Sequence, residues 1–245
     1  MDDATMDLTE ELGRQQASDA VTGLGWRYML GVLRTLVRVA SLAEALEVSA
    51  RALAACGGAA DRHLRMDVRP DLVDFTLQSL AAAGVTQQDV VLARRISTAL
   101  DGLGMRTIAD AGPGAARSVQ VTEIAIDAVD IAAVRPFWKA VMGYGDKAVM
   151  GYGDEAGRSG PEDPLIDPMW QGPAIWFQQM DAPRTQRNRI HFDVSVPHDE
   201  AQRRVRAALD AGGVLVSDAR APAFWVLADA EGNEACVTTW QGRDS

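Results

Sequence analysis

Residues 79–104 read SLAAAGVTQQDVVLARRISTALDGLG, and this stretch organises the first half of the chain. From Thr86 onward the apolar residues Leu92, Ile96, Leu100 and Leu103 recur at helical spacing, and Gly102 and Gly104 close the run. Thr86-Gln-Gln-Asp89 has the spacing of a capping box, which places Asp89 at the third helical position near the positive helix end. Just upstream, DLVDFTLQS (71–79) alternates, with Val73, Phe75 and Leu77 on one face and Asp74, Thr76 and Gln78 on the other. That period of two predicts a half-buried strand. Further upstream, SLAEALEVSARALAACGG (41–58) predicts a helix capped by Ser41, with Leu42, Ala45, Leu46, Leu53 and Ala54 as its apolar stripe. WRYMLGVLRTLVRV (26–39) predicts two short strands around Gly31, and LTEELGRQQASDAVTGLG (8–25) an opening helix.

The segment MRTIADAGPGAARSVQ (105–120) has Gly-Pro-Gly and no sustained period, so it reads as a linker between two domains, placed at 107–117. Domains are therefore expected at 1–106 and 118–245. The second half runs strand, helix, strands, and then repeats that order. VQVTEIAI leads into IAAVRPFWKAVMG, whose Val134, Phe137, Trp138 and Val141 form one stripe. PAIWFQQM and RIHFDVSV are strands, DEAQRRVRAALDAGG a helix, and GVLVSD, AFWVLAD and EACVTTW closing strands. Between them lies KAVMGYGDKAVMGYGD (139–154), the same eight residues twice. The first copy completes the helix; the second lengthens a loop, which loop-closure entropy penalises only weakly. The alternative is a lid carried by Tyr144 or Tyr152.

The totals bound the function. In 245 residues, 47% are hydrophobic and 24% charged, as in a globular protein. A net charge of −10 argues against a nucleic-acid partner, and no apolar run approaches a membrane span. The acidic start MDDATMDLTEELGRQQ is unlike a secretory signal, so a cytoplasmic location is expected. Cys56 and Cys236 fit no metal spacing and are expected as free, buried thiols.

The stretch Gly84-Val85-Thr86, then Asp89, Leu92, Ala93 and Ile96, resembles the signature of the pterin-4a-carbinolamine dehydratases. Ungapped alignment back from it places Arg62-His63-Leu64 where that family has His-His-Pro, and Leu80 where it has the histidine of a Thr-His pair. The resemblance covers roughly residues 8 to 103. It implies an α+β fold with a small antiparallel sheet and helices on one face. It also implies water elimination from a carbinolamine, in which one group protonates the leaving hydroxyl and another takes the ring N–H proton. Histidine suits both tasks near neutral pH. Of the implied set this chain keeps His63 and Asp89, whereas arginine and leucine cannot exchange a proton at pH 7. Asp89 as a plain helix cap, and Arg62, Arg65 and Arg69 as an ordinary charged surface, stand as alternatives.

The stretches VRPFWKAVMGY, RIHFDVSV and LADAEGNEACV resemble the glyoxalase-like branch of the vicinal oxygen chelate superfamily, over residues 118 to 243. This implies paired βαβββ units forming a concave sheet. In metal-using relatives four ligands converge from four strands, and the corresponding positions here are Glu123, Gln178, His191 and Cys236. The last position has lost its carboxylate to a thiol, and Glu234 lies two residues earlier on the same face. No cofactor is therefore expected. The pocket expected instead is polar and aromatic, with His191 as acid–base group. Arg62, Glu123, Trp176, Gln178, Arg189, Trp225 and Cys236 are the substrate-binding candidates, and any tryptophan among them has a core or interface role as its alternative.

The functional expectation is a small-molecule lyase of the dehydratase type, using His63, Asp89 and His191, in a homo-oligomer by analogy with both families. The alternatives are a non-catalytic protein that sequesters a planar ligand, and a metal-dependent isomerase or dioxygenase.

Overall fold

The computed structural model describes residues 7–109, 119–146, 163–183, 191–239 and 241–242. They divide into two compact units at Val121/Thr122. The fold is α+β in both.

The first unit comprises α1 (Arg14–Thr22), β1 (Arg27–Met29), β2 (Val32–Arg38), α2 (Leu42–Cys56), a 3-10 turn (Gly57–Ala59), α3 (Ala60–His63), β3 (Leu64–Val68), β4 (Leu72–Leu77) and α4 (Gln87–Asp101). The strands form an antiparallel sheet in the order β1-β2-β4-β3. Alternation sends Leu33, Val37, Val73, Phe75 and Leu77 to one face, where they join Val21, Val48, Leu92, Ile96 and Leu100 from the helices in one core. The opposite face carries Arg34 paired to Asp74.

Three expectations change. The opening helix starts only at Arg14, after Gly13; Glu11 is instead bridged to Thr86. In α2 the sheet-facing residues are Ala45, Val48, Ser49, Ala52 and Cys56, while Leu42, Leu46 and Leu53 are exposed. Two apolar stripes coexist on that helix, and the small-residue stripe is the one that lets α2 approach its neighbours closely. Finally, the first unit continues past residue 106. Ile108 pairs with Leu36, and Thr107 Oγ1 donates to the Leu24 carbonyl at 2.6 Å. Ser97 Oγ links Thr107 to the indole N–H of fully buried Trp26, at 3.0 Å on each side. The rest of the expected linker, from residue 110 on, lies outside the described residues.

The second unit comprises β5 (Glu123–Ala128), α5 (Ile131–Met142), β6 (Gly145–Asp146), β7 (Leu165–Ile166), β8 (Ala174–Gln179), β9 (Phe192–Ser195), α6 (Ala201–Asp210), β10 (Val214–Arg220), β11 (Phe224–Ala228) and β12 (Glu234–Thr238). The βαβββ unit is present twice, each with its own four-stranded sheet, in the orders β5-β8-β7-β6 and β9-β12-β11-β10. In each, the first strand pairs parallel with the last. Ile126, Ile175 and Phe177 from one sheet and Trp225, Leu227, Ala235 and Val237 from the other share a core with Val134, Phe137, Trp138, Val205 and Ala208 of the two helices.

The first copy of the repeated octapeptide behaves as its pattern implies. Val141 is fully buried, and Gly143 ends α5 in the left-handed conformation at φ 70°. Tyr144 belongs to the core and is 8% exposed, so it is not a lid; burial, with Asp167 nearby, pushes its phenol up to about 12. The second copy, with Tyr152, lies outside the described residues.

A buried carboxylate ties the second unit's turn to its core. Asp229 Oδ2 accepts from Trp138 Nε1 at 2.9 Å and Asn233 Nδ2 at 2.8 Å, while Oδ1 accepts the backbone N–H of Glu231 and of Asn233. Asp229→Ala strands these donors, Trp138 among them at 1% exposure. The expected cost is about 2–3 kcal/mol, read as a lower urea midpoint for the second unit. A change under about 0.5 kcal/mol would show that water replaces the carboxylate there.

Candidate functional site

In the first unit, α3 ends at His63 and the chain turns directly into β3, a strand that the polar sequence ADRHLRMDVRP disguises. Backbone pairing with the end of β4 then fixes the neighbourhood: Gln78 N–H donates to the His63 carbonyl at 2.9 Å, and Leu80 N–H to the Arg62 carbonyl at 3.0 Å. Residues 62, 63 and 80, which the resemblance named separately, are thus cross-strand neighbours. His63 closes α3 and is half-buried. Its side chain is 14% exposed, and its Nδ1 lies 2.8 Å from Oδ1 of Asp89, which is fully buried.

Asp89 serves as cap and partner at once. Its Oδ2 accepts from Thr86 N at 2.7 Å and Thr86 Oγ1 at 2.9 Å, which leaves Oδ1 for the imidazole. The two readings of Asp89 are therefore one arrangement, because a carboxylate has an oxygen for each. As a carboxylate, Asp89 accepts Nδ1–H and so holds the neutral ring in the tautomer whose Nε2 carries a lone pair. Nε2 has no hydrogen-bond partner among the described residues. Arg62 is exposed; Arg65 donates to Gln78 Oε1 at 3.3 Å, and Arg69 is paired with Asp67. Gln78, 6% exposed and also bound to the Gly31 carbonyl, is a polar neighbour that the sequence reading did not single out. Its only signal was its place on the polar face of an alternating strand.

In the second unit, the candidates separate by sheet and by face. Glu123 opens β5, and Trp176 and Gln178 lie on the face of β8 opposite the core residues Ile175 and Phe177. Glu123 and Gln178 are exposed and Trp176 is half-buried. On the other sheet, Cys236 of β12 sits beside Asp193 of β9, and His191 precedes that strand on the same face. The donor atoms of His191, Asp193 and Cys236 all lie within 4.8 Å of one another. Burial, reinforced by Asp193 and Glu234, pushes the Cys236 thiol up to about 11.

One binding candidate lies in the core. Trp225 faces the helices within the core at 7% exposure, because alternation along β11 puts it on the face of Leu227 and leaves Val226 half-buried on the other. Arg189 lies outside the described residues. Of the ligand set that the resemblance implied, His191 and Cys236 stand together with Asp193, and among the described residues Glu123 is not part of that group of three. Asp193 was legible only as the residue two places after His191 on one strand face.

Residues 8–99 match the pterin 4 alpha carbinolamine dehydratase family, and residues 123–238 match the glyoxalase-like domain. A protein of Mycobacterium sp. (strain JLS), assigned as a pterin-4-alpha-carbinolamine dehydratase, is 34% identical over 77 residues, 31% of this chain and 81% of that one. The chain belongs to the pterin-4a-carbinolamine dehydratase family through its first unit, which is fused to a glyoxalase-like domain. Among solved structures, a transcriptional coactivator/pterin dehydratase from Brucella melitensis is 22% identical with a TM-score of 0.33, covering 37% of this chain and 98% of its own. A glyoxalase/bleomycin resistance protein/dioxygenase family enzyme from Burkholderia phytofirmans PsJN is 18% identical with a TM-score of 0.38, covering 49% and 98%.

Proposed function

We propose that the first unit is a hydro-lyase that eliminates water from a cyclic carbinolamine of the 4a-hydroxytetrahydrobiopterin kind, with His63 as the group that moves the proton. The observation that carries this reading is the 2.8 Å contact between His63 and a fully buried Asp89. A buried carboxylate on Nδ1 makes Nε2 the base and stabilises the imidazolium that forms when it accepts a proton. Nε2 takes the proton from the ring N–H, the C–O bond breaks as C=N forms, and the imidazolium returns the proton to the departing hydroxyl as water. One group thus acts as base and then as acid. Arg62 and Leu80 occupy the neighbouring positions and cannot share that work, so the reading expects a slower enzyme than one with the full histidine set.

The test follows dehydration of the carbinolamine against its spontaneous rate with the full chain and with His63→Gln. A rate well above background that falls to background in the variant supports the reading. A wild-type rate equal to background overturns it.

The second unit supports a second reading, a binding face for a planar, partly polar molecule. What favours it is Trp176, half-buried beside Gln178 and Asp127 on a strand face turned away from the core. Saturable binding of a candidate ligand without product, lost in Trp176→Ala, is its signature; equal binding by the variant would count against it.

A further inference from the structure

The second unit assembles three metal-ligating side chains that neither the resemblance nor the dehydration reading uses together. β9 and β12 run parallel, with Asp193 registered opposite Cys236. Neighbouring strands lie about 4.8 Å apart, and residues two apart on a strand share a face. An imidazole at 191, a carboxylate at 193 and a thiol at 236 are thereby held on one face by backbone pairing, and their donor atoms lie within 4.8 Å of one another. We propose that His191, Asp193 and Cys236 form a three-ligand site for a borderline divalent cation of the Zn(II) class, built on a single sheet.

The donor set selects the ion. Imidazole and thiolate suit Zn(II) and exclude the hard cations that take oxygen alone. A neutral imidazole, one carboxylate and one thiolate carry two negative charges, which match a divalent ion. Three protein ligands leave a fourth tetrahedral position for water or a substrate atom. His191 and Asp193 have side chains 54% and 61% exposed, so an ion and its fourth ligand reach the site from solvent. Cys236, 7% exposed, forms its floor. This is a different site from the four-strand set. It takes its carboxylate from the same strand as the histidine, and Glu123 takes no part in it.

The experiment uses the full chain, stripped with chelator and titrated with Zn(II) against a chromophoric competitor, and in parallel loaded with Co(II). One equivalent of Zn(II) should bind, and Co(II) should give the near-ultraviolet charge-transfer absorption of a cobalt–thiolate bond. Cys236→Ser should abolish that absorption, and Cys56→Ala should retain it. His191→Gln and Asp193→Asn should each weaken Zn(II) binding by at least about 100-fold, more than the loss of an outer hydrogen bond costs. Glu123→Gln should leave affinity within about twofold, because a residue outside the coordination and hydrogen-bonding shells does not tune it. Absence of stoichiometric binding overturns the proposal, as does thiolate absorption that survives in Cys236→Ser. An equal loss in Glu123→Gln would restore the four-strand arrangement and also overturn it. None of these readings depends on dehydration, so the proposal and the proposed function fail separately.

Discussion

Replacing Asp89 with asparagine is expected to lower the dehydration rate of the full chain by about 100-fold or more, the range that a positioned acid–base group supplies. The carboxylate has two committed sides: Oδ2 accepts two hydrogen bonds from Thr86, and Oδ1 takes His63 Nδ1. Asparagine has one oxygen and one amide nitrogen. Turning the NH2 group toward Thr86 sets donor against donors in a fully buried site. The favoured orientation keeps the oxygen on Thr86 and presents N–H to His63. Nδ1 must then accept, the ring proton moves to Nε2, and the base is lost while the helix keeps its cap. The measurement is kcat beside KM and a thermal melt. A large fall in kcat with little change in KM or melting temperature fits a positioning role. An unchanged kcat would mean that Asp89 is only a cap.

The second large effect is on stability. Gly25 has φ +79°, and a Cβ placed on it would lie 2.0 Å from the Thr107 carbonyl oxygen. Gly25→Ala combines left-handed strain with a backbone collision at the point where residues 107–108 close over Trp26 and Ser97. Strain of this kind costs about 1–3 kcal/mol and overpacking about as much again, so the first unit should lose about 3 kcal/mol or more. Gly23→Ala is the control: φ is −68° and nothing lies within 4 Å of the added carbon. Its effect should stay within about 0.5 kcal/mol. Hydrogen exchange at the α4 amides reads the first unit alone. Equal protection in the two variants would show that residues 107–108 do not brace it.

Much of the fold was legible because it depends on local periodicity. The alternation of Val73, Phe75 and Leu77 and the stripe from Leu92 to Leu100 each indicate a face, and the structure buries those faces. The β3 strand was not legible, because an edge strand with Arg65, Met66 and Asp67 half or fully exposed has no buried face to show in its sequence. The β6 and β7 strands, two residues each, are too short for any period.

For the sites, the residue order already names the groups at hand: His63 and Asp89 in the first unit, and His191, Asp193 and Cys236 in the second. It also determined which strand face each would share, since side-chain direction follows from position along an element. Which of these groups meet follows from packing. His63 and Asp89 are 26 residues apart, and Asp193 and Cys236 lie on strands separated by a helix and two further strands. Contacts of that kind are set by sheet register and by the packing of α4 against β4, to which no local pattern refers. The same reason sends Trp225 inward and turns Leu42, Leu46 and Leu53 outward. A helix or strand shows which residues are apolar together, and only the neighbouring layer selects the stripe that is buried.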